Sequence, residues 1–119
     1  MINLVVLEGT LSRPPTVRSL PSGDQLVAYE VTVRAEGQPA DSVPVAWFDA
    51  PARATELDTG EAVGVVGRVR RRFFRTPAGT GSRTEVVAEA VIPARQRKRA
   101  LAATEAAQAR LAARAGSRG

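Results

Sequence analysis

The chain has 119 residues, enough for one domain and a short tail. It contains no Cys and no His, which excludes disulfides and thiolate metal sites and removes the commonest general base and zinc ligand. The formal net charge is +5, and no apolar stretch approaches the length that spans a bilayer.

Met1 runs straight into Ile2-Asn3-Leu4-Val5 with no basic leader, so a secretory signal is not expected and a cytoplasmic protein is the default. Residues 4–11 form a short apolar run containing Gly9, which suits a bent or bulged first strand; Arg13-Pro14-Pro15 breaks it. Pro21-Ser22-Gly23-Asp24 signals a turn. Residues 25–34 then alternate, with Val27, Tyr29, Val31 and Val33 on one face and Ala28, Glu30, Thr32 and Arg34 on the other. After a loop, residues 42–48 alternate again, opposing Val43, Val45 and Trp47 to Pro44, Ala46 and Phe48. Residues 52–57 suit one or two helical turns, stopped by Asp58-Thr59-Gly60.

A long fourth strand follows over residues 62–74. The Gly-rich hairpin Thr76-Pro77-Ala78-Gly79-Thr80-Gly81 leads into a fifth strand over 83–92. Five strands with a small helix between the third and fourth is the order of an all-β OB-fold, a partly open Greek-key barrel. An SH3-like barrel shares the strand number, and the position of the small helix favours the OB order. The predicted barrel domain is 1–93. Residues 94–119 are a basic Ala- and Arg-rich tail, expected to be partly helical or disordered, because Leu101 and Leu111 are its only large apolar side chains.

Charge clusters late in the chain. Residues 68–94 carry six arginines against Glu85 and Glu89, and the tail from Arg95 onward, Arg118 included, carries seven basic residues against Glu105. A basic stripe on a near-neutral body points to a localised polyanion site. On the fourth strand alternation aligns Arg68, Arg70, Arg72 and Phe74, with Arg71 and Phe73 on the reverse side. Guanidiniums about 6.5–7 Å apart beside an aromatic ring can neutralise successive phosphates and stack on bases. Arg75 and Arg83 flank the hairpin, Arg34 is a candidate phosphate contact on the second strand, and Phe48 is a second candidate stacking ring. Trp47 and Tyr29 share faces with valines and read as core; Trp47 is kept as a secondary candidate contact. Arg95, Arg97, Lys98 and Arg99 are further secondary candidates, for nonspecific reinforcement from the tail.

Enzymatic readings find no footing. Without His or Cys no Ser-His-Asp or Cys-His arrangement can form, and Glu30, Asp49 and Asp58 lack metal-ligand spacing. Gly79-Thr80-Gly81-Ser82 lacks the lysine of a phosphate-binding loop and joins two strands. No cofactor or metal is implied.

The opening Leu4-Val5-Val6-Leu7-Glu8-Gly9-Thr10-Leu11-Ser12-Arg13-Pro14-Pro15-Thr16-Val17-Arg18, with Pro21-Ser22-Gly23, resembles that of bacterial single-stranded DNA-binding proteins. So does Gly67-Arg68-Val69-Arg70-Arg71-Arg72-Phe73-Phe74, followed by Thr84-Glu85-Val86-Val87-Ala88. The resemblance covers residues 2 to about 93, with the order of its segments preserved. It implies an OB-fold and a homo-oligomer, a tetramer ahead of a dimer. It also implies sequence-tolerant binding of single-stranded DNA in replication, recombination or repair, with Phe48 and Phe74 at the family's stacking positions. Three departures stand out. Ser42 occupies the place of a family Trp, a further Trp after the second strand has no counterpart, and the chain ends in a basic tail where the family has an acidic tip. Recruitment of partners through the tail is therefore not expected, and fewer rings place more weight on phosphate contacts and avidity. Two alternatives remain at this stage: an OB-fold accessory or scaffold protein of the replication machinery acting mainly through protein contacts, and an RNA binder.

Overall fold

The computed structural model describes residues 1–116, so Arg118 and its neighbours at the end of the predicted tail lie outside the described residues. Six strands form: β1 (Val5–Leu11), β2 (Thr16–Ser19), β3 (Gln25–Val33), β4 (Asp41–Phe48), β5 (Ala62–Thr76) and β6 (Gly79–Pro93). They pair in the order β1-β5-β6-β4-β3-β2, and β1 also pairs with β3. The circuit β1–β3–β4–β6–β5 thus closes into a five-stranded barrel, antiparallel throughout except where β4 runs parallel to β6. That is the OB arrangement.

The sixth strand corrects the expected count of five. β2 lies outside the barrel on the edge of β3, and all four of its residues are exposed. It has no buried face to leave an apolar signature, and only its ladder with β3 defines it. The predicted helical stretch at 52–57 shortens to a single 3₁₀ turn, Ala52–Thr55.

The core lies where the inward stripes converge. Leu11, Val31, Val63 and Val65 are fully enclosed, with Tyr29 and Trp47 packed among them. At 7% exposure the Trp47 side chain belongs to the core, which corrects its secondary placement as a surface contact. Gly9 sits where β1 passes from β5 to β3; a Cβ there would stand 2.4 Å from the Thr32 carbonyl oxygen. The Tyr29 hydroxyl donates a 2.6 Å hydrogen bond to the Ala54 carbonyl and so ties the 3₁₀ turn to β3.

Burial raises the Tyr29 phenol well above its ordinary value of 10.0. The folded state keeps the phenol neutral, whereas the unfolded chain ionises near that value. The stabilisation is therefore complete below about pH 10 and declines above it. Thermal melts from about pH 9 to 12 are expected to show a midpoint falling above pH 10, and a shallower fall for Tyr29→Phe. An equally steep fall in the variant would exclude Tyr29 as the cause.

The tail takes the helical of its two expected forms, and it also packs on the barrel, which its few large apolar residues did not suggest. Arg97–Gly116 forms one helix, α1, lying against β5 and β6. It docks by alanines rather than by large apolar side chains. Ala107 is 1% exposed, and Ala100, Ala103 and Thr104 share its face at helical spacing. The register between β5 and β6 slips between Val66 and Gly67, which leaves Glu89 as the extra residue of a bulge. Its carboxylate accepts two hydrogen bonds from Arg110, at 2.7 and 3.2 Å, and pins the helix. No helix among the described residues is long and apolar enough to cross a membrane.

Candidate nucleic-acid interface

The outward stripes of the sheet meet on one face. Cross-strand register aligns Thr16, Ala28, Ala46, Val87 and Arg68 in a single row across β2, β3, β4, β6 and β5. Small side chains at Ala28 and Ala46 make a low floor. A second row sets Arg18 beside Leu26 and Phe48. A groove of about 300 Å³ runs over this floor, lined also by Pro44, Arg70, Arg72, Arg83 and Glu85.

Both predicted rings face outward. Phe48 is half-buried at the end of β4, with the Arg70 guanidinium carbon 5.2 Å from its ring centre. Phe74 is 39% exposed and lies across Gly81, the residue opposite it in the hairpin. A Cβ on Gly81 would fall 2.7 Å from that ring, so the absence of a side chain there makes room for it. Arg72 stands 5.6 Å from the Phe74 centre. Each ring therefore carries a guanidinium, an attraction worth about 0.5–1 kcal/mol at exposed sites.

The arginines are not all free, which corrects the simple picture of an open row of guanidiniums. Glu85, 6% exposed, accepts a 2.6 Å hydrogen bond from Arg70 Nη2 and a longer one of 3.4 Å from Arg72 Nε. One carboxylate thus orients two cations across the ring-bearing face. Arg70 Nε is buried without a hydrogen-bond partner among the described residues. Arg68 and Arg83 make no ion pair among those residues, and Arg83 stands directly opposite Arg72. With Arg18, Arg68, Arg70, Arg72 and Arg83 against Glu85, the face is electropositive.

The other predicted residues lie elsewhere. Arg34 follows the end of β3, eight residues from Leu26 and beside the β3–β4 loop. Arg75 pairs with Thr80 and, by strand alternation, projects on the side of Arg71 and Phe73. Arg95 pairs with Glu61 at 2.8 Å, and Arg99 hydrogen-bonds Gln96. Arg97 and Lys98 border a separate groove between α1 and β1–β5, with Val6, Gly64 and Ile92. The tail cations are thus not gathered at the ring-bearing face. Arg18 and Glu85 were not singled out from the sequence. Counting outward from the Thr76–Gly79 hairpin closure pairs residue 70 with residue 85, a signal that was available for Glu85. For Arg18 there was none, because its strand has no apolar alternation.

Among the described residues no group of three or more Asp, Glu, His or Cys could hold a metal ion. A closed Greek-key barrel with a ring-and-cation face on its β3–β4–β6–β5 side defines an OB-fold protein. More particularly, the chain belongs to the single-strand binding protein family, whose model matches residues 2–93, the whole barrel. Members of that family are non-enzymatic DNA-binding proteins. A protein of Oceanobacillus iheyensis named single-stranded DNA-binding protein is 34% identical over 100 residues, covering 76% of this chain and 62% of that relative. The chain therefore spans less than two thirds of the length of the curated relative it matches.

Proposed function

We propose that this protein binds single-stranded DNA without regard to sequence, in replication, recombination or repair in the bacterial cytoplasm. Bases stack on Phe48 and Phe74 while Arg68, Arg70, Arg72 and Arg83 neutralise phosphates. The observation that carries this reading is the outward placement of both rings on one electropositive face, each with a guanidinium against it.

Magnitudes favour exchange of the guanidinium for a base. Base–aromatic stacking is worth roughly 1–3 kcal/mol, against about 0.5–1 kcal/mol for an exposed cation–π contact. An incoming base displaces the arginine from its ring, and the released guanidinium turns to the adjoining phosphate. Glu85 keeps Arg70 and Arg72 within reach of both positions. Phosphate also supplies an acceptor for the unpartnered Arg70 Nε.

The reading includes a homo-oligomer, a tetramer ahead of a dimer. Exposed Ile2 and Val6 on and beside β1 support assembly, and two rings per barrel gain from avidity. Any contribution of the tail would come from Arg97 and Lys98, since Arg95 and Arg99 have partners.

Titration with oligo-dT and oligo-dA is the test. Similar affinities are expected for both, with a log–log salt slope near −3 per barrel, from about −0.7 for each of the four arginines. Equal affinity for duplex DNA of the same length, or a slope near zero, would remove the reading.

A further inference from the structure

We infer that the β5–β6 hairpin carries a second base-stacking platform on its reverse face, centred on Phe73 and flanked by Arg71 and Arg75, so that one DNA strand passes around the hairpin and not only across its front. This inference rests on the proposed single-strand binding.

Inside the barrel, the odd-numbered residues of β5 point into the core: Val63 and Val65 are fully enclosed. Beyond Gly67 the hairpin leaves the barrel, and the same stripe emerges into solvent. Val69 is already 44% exposed, and Phe73 reaches 68%, well above Phe74 on the front. An inward-facing stripe that outruns its core normally turns polar. Here it presents a phenyl ring between two arginines.

The register fixes what surrounds that ring. Arg71 faces Thr84, Phe73 faces Ser82 and Arg75 faces Thr80. Arg71 reaches diagonally to Ser82, donating from Nε at 3.3 Å and from Nη2 at 3.2 Å to the hydroxyl oxygen. Its guanidinium is thereby held in the row of Phe73, while Arg75 stands two residues along the same strand.

No carboxylate lies among these six residues, whereas the front face has Glu85. Among the described residues the reverse side therefore keeps both positive charges without an ion pair, around an open π-face. That combination suits an unpaired nucleobase with its two adjoining phosphates. A protein partner would need acidic groups matched to both arginines, and single-stranded DNA supplies an anion at every nucleotide.

The test uses the full chain with oligo-dT of about 8 and about 35 nucleotides, lengths chosen to occupy one face or to pass around the hairpin. Phe73→Ala is expected to leave the short oligonucleotide within two-fold of the parent and to weaken the long one roughly 5- to 150-fold. Phe73→Trp adds a direct reporter against the buried Trp47 background, and its fluorescence is expected to fall on adding the long oligonucleotide. If the parent protein binds neither length, single-strand binding itself fails. If the parent binds both and Phe73→Ala changes neither, with no quenching of the new Trp, the second platform alone is overturned. A changed solution mass for Phe73→Ala with unchanged DNA affinity overturns it too, and makes this face a contact between copies of the chain.

Discussion

Replacing Phe48 and Phe74 together by alanine is expected to weaken oligo-dT binding by roughly 30-fold to 25,000-fold, about 2–6 kcal/mol for two lost stacking contacts. The two single variants should each lose less. Their losses need not sum to that of the double variant, because Arg70 and Arg72, which sit against the two rings, share Glu85. The barrel should survive, since neither ring belongs to the enclosed core. Thermal melts run beside the titrations separate lost binding from lost folding. A double variant that melts normally and binds oligo-dT like the parent would show that this face does not receive bases.

Gly67→Ala is expected to destabilise the fold by about 3 kcal/mol or more, lowering the melting midpoint by roughly 15 °C for a domain of this size. A Cβ at this position would stand 2.2 Å from the Val87 carbonyl oxygen and 2.9 Å from both Val87 C and Ala88 Cα. All three are backbone atoms of β6, so no side-chain rotation relieves the overlap. Gly67 also pairs with Val5 on its other side, which blocks retreat in that direction. Gly64→Ala is the control: three residues earlier on the same strand, its Cβ would meet nothing within 4 Å. Melting midpoints for the two variants within about two degrees of each other would contradict this account.

Much of the barrel was legible because period-two alternation is imposed wherever one face of a strand is buried. It separated Tyr29 from Ala28, Trp47 from Phe48, and Arg72 and Phe74 from Arg71 and Phe73, and the fold keeps each of those separations. The missed features lacked that pressure. β2 buries nothing. The bulge at Glu89 shifts the inward positions of β6 from Val86 and Ala88 to Val91, a change of phase concealed because apolar residues occupy both faces on either side of it, Val86 with Val87 before and Val91 with Ile92 after. The docking of α1 was invisible to a search for large apolar residues, because Ala100, Ala103 and Ala107 bury little surface each and work by permitting close approach. Within the candidate face, the rings and arginines could be read from one strand at a time. Glu85 acquires its role only when two strands are set in register.

The parallel pairing of β4 with β6 bears on how this chain comes off the ribosome. β1 finds β5 only across some fifty residues, and β4 must wait for β6, about forty residues later. A nascent chain that has emerged only as far as Ala62 can therefore pair β1 to β4 at most as an open sheet with two unpaired edges. The barrel can close only once Pro93 has cleared the exit tunnel, which puts this topology among the slower-forming small domains and leaves strand edges open to neighbouring chains during synthesis.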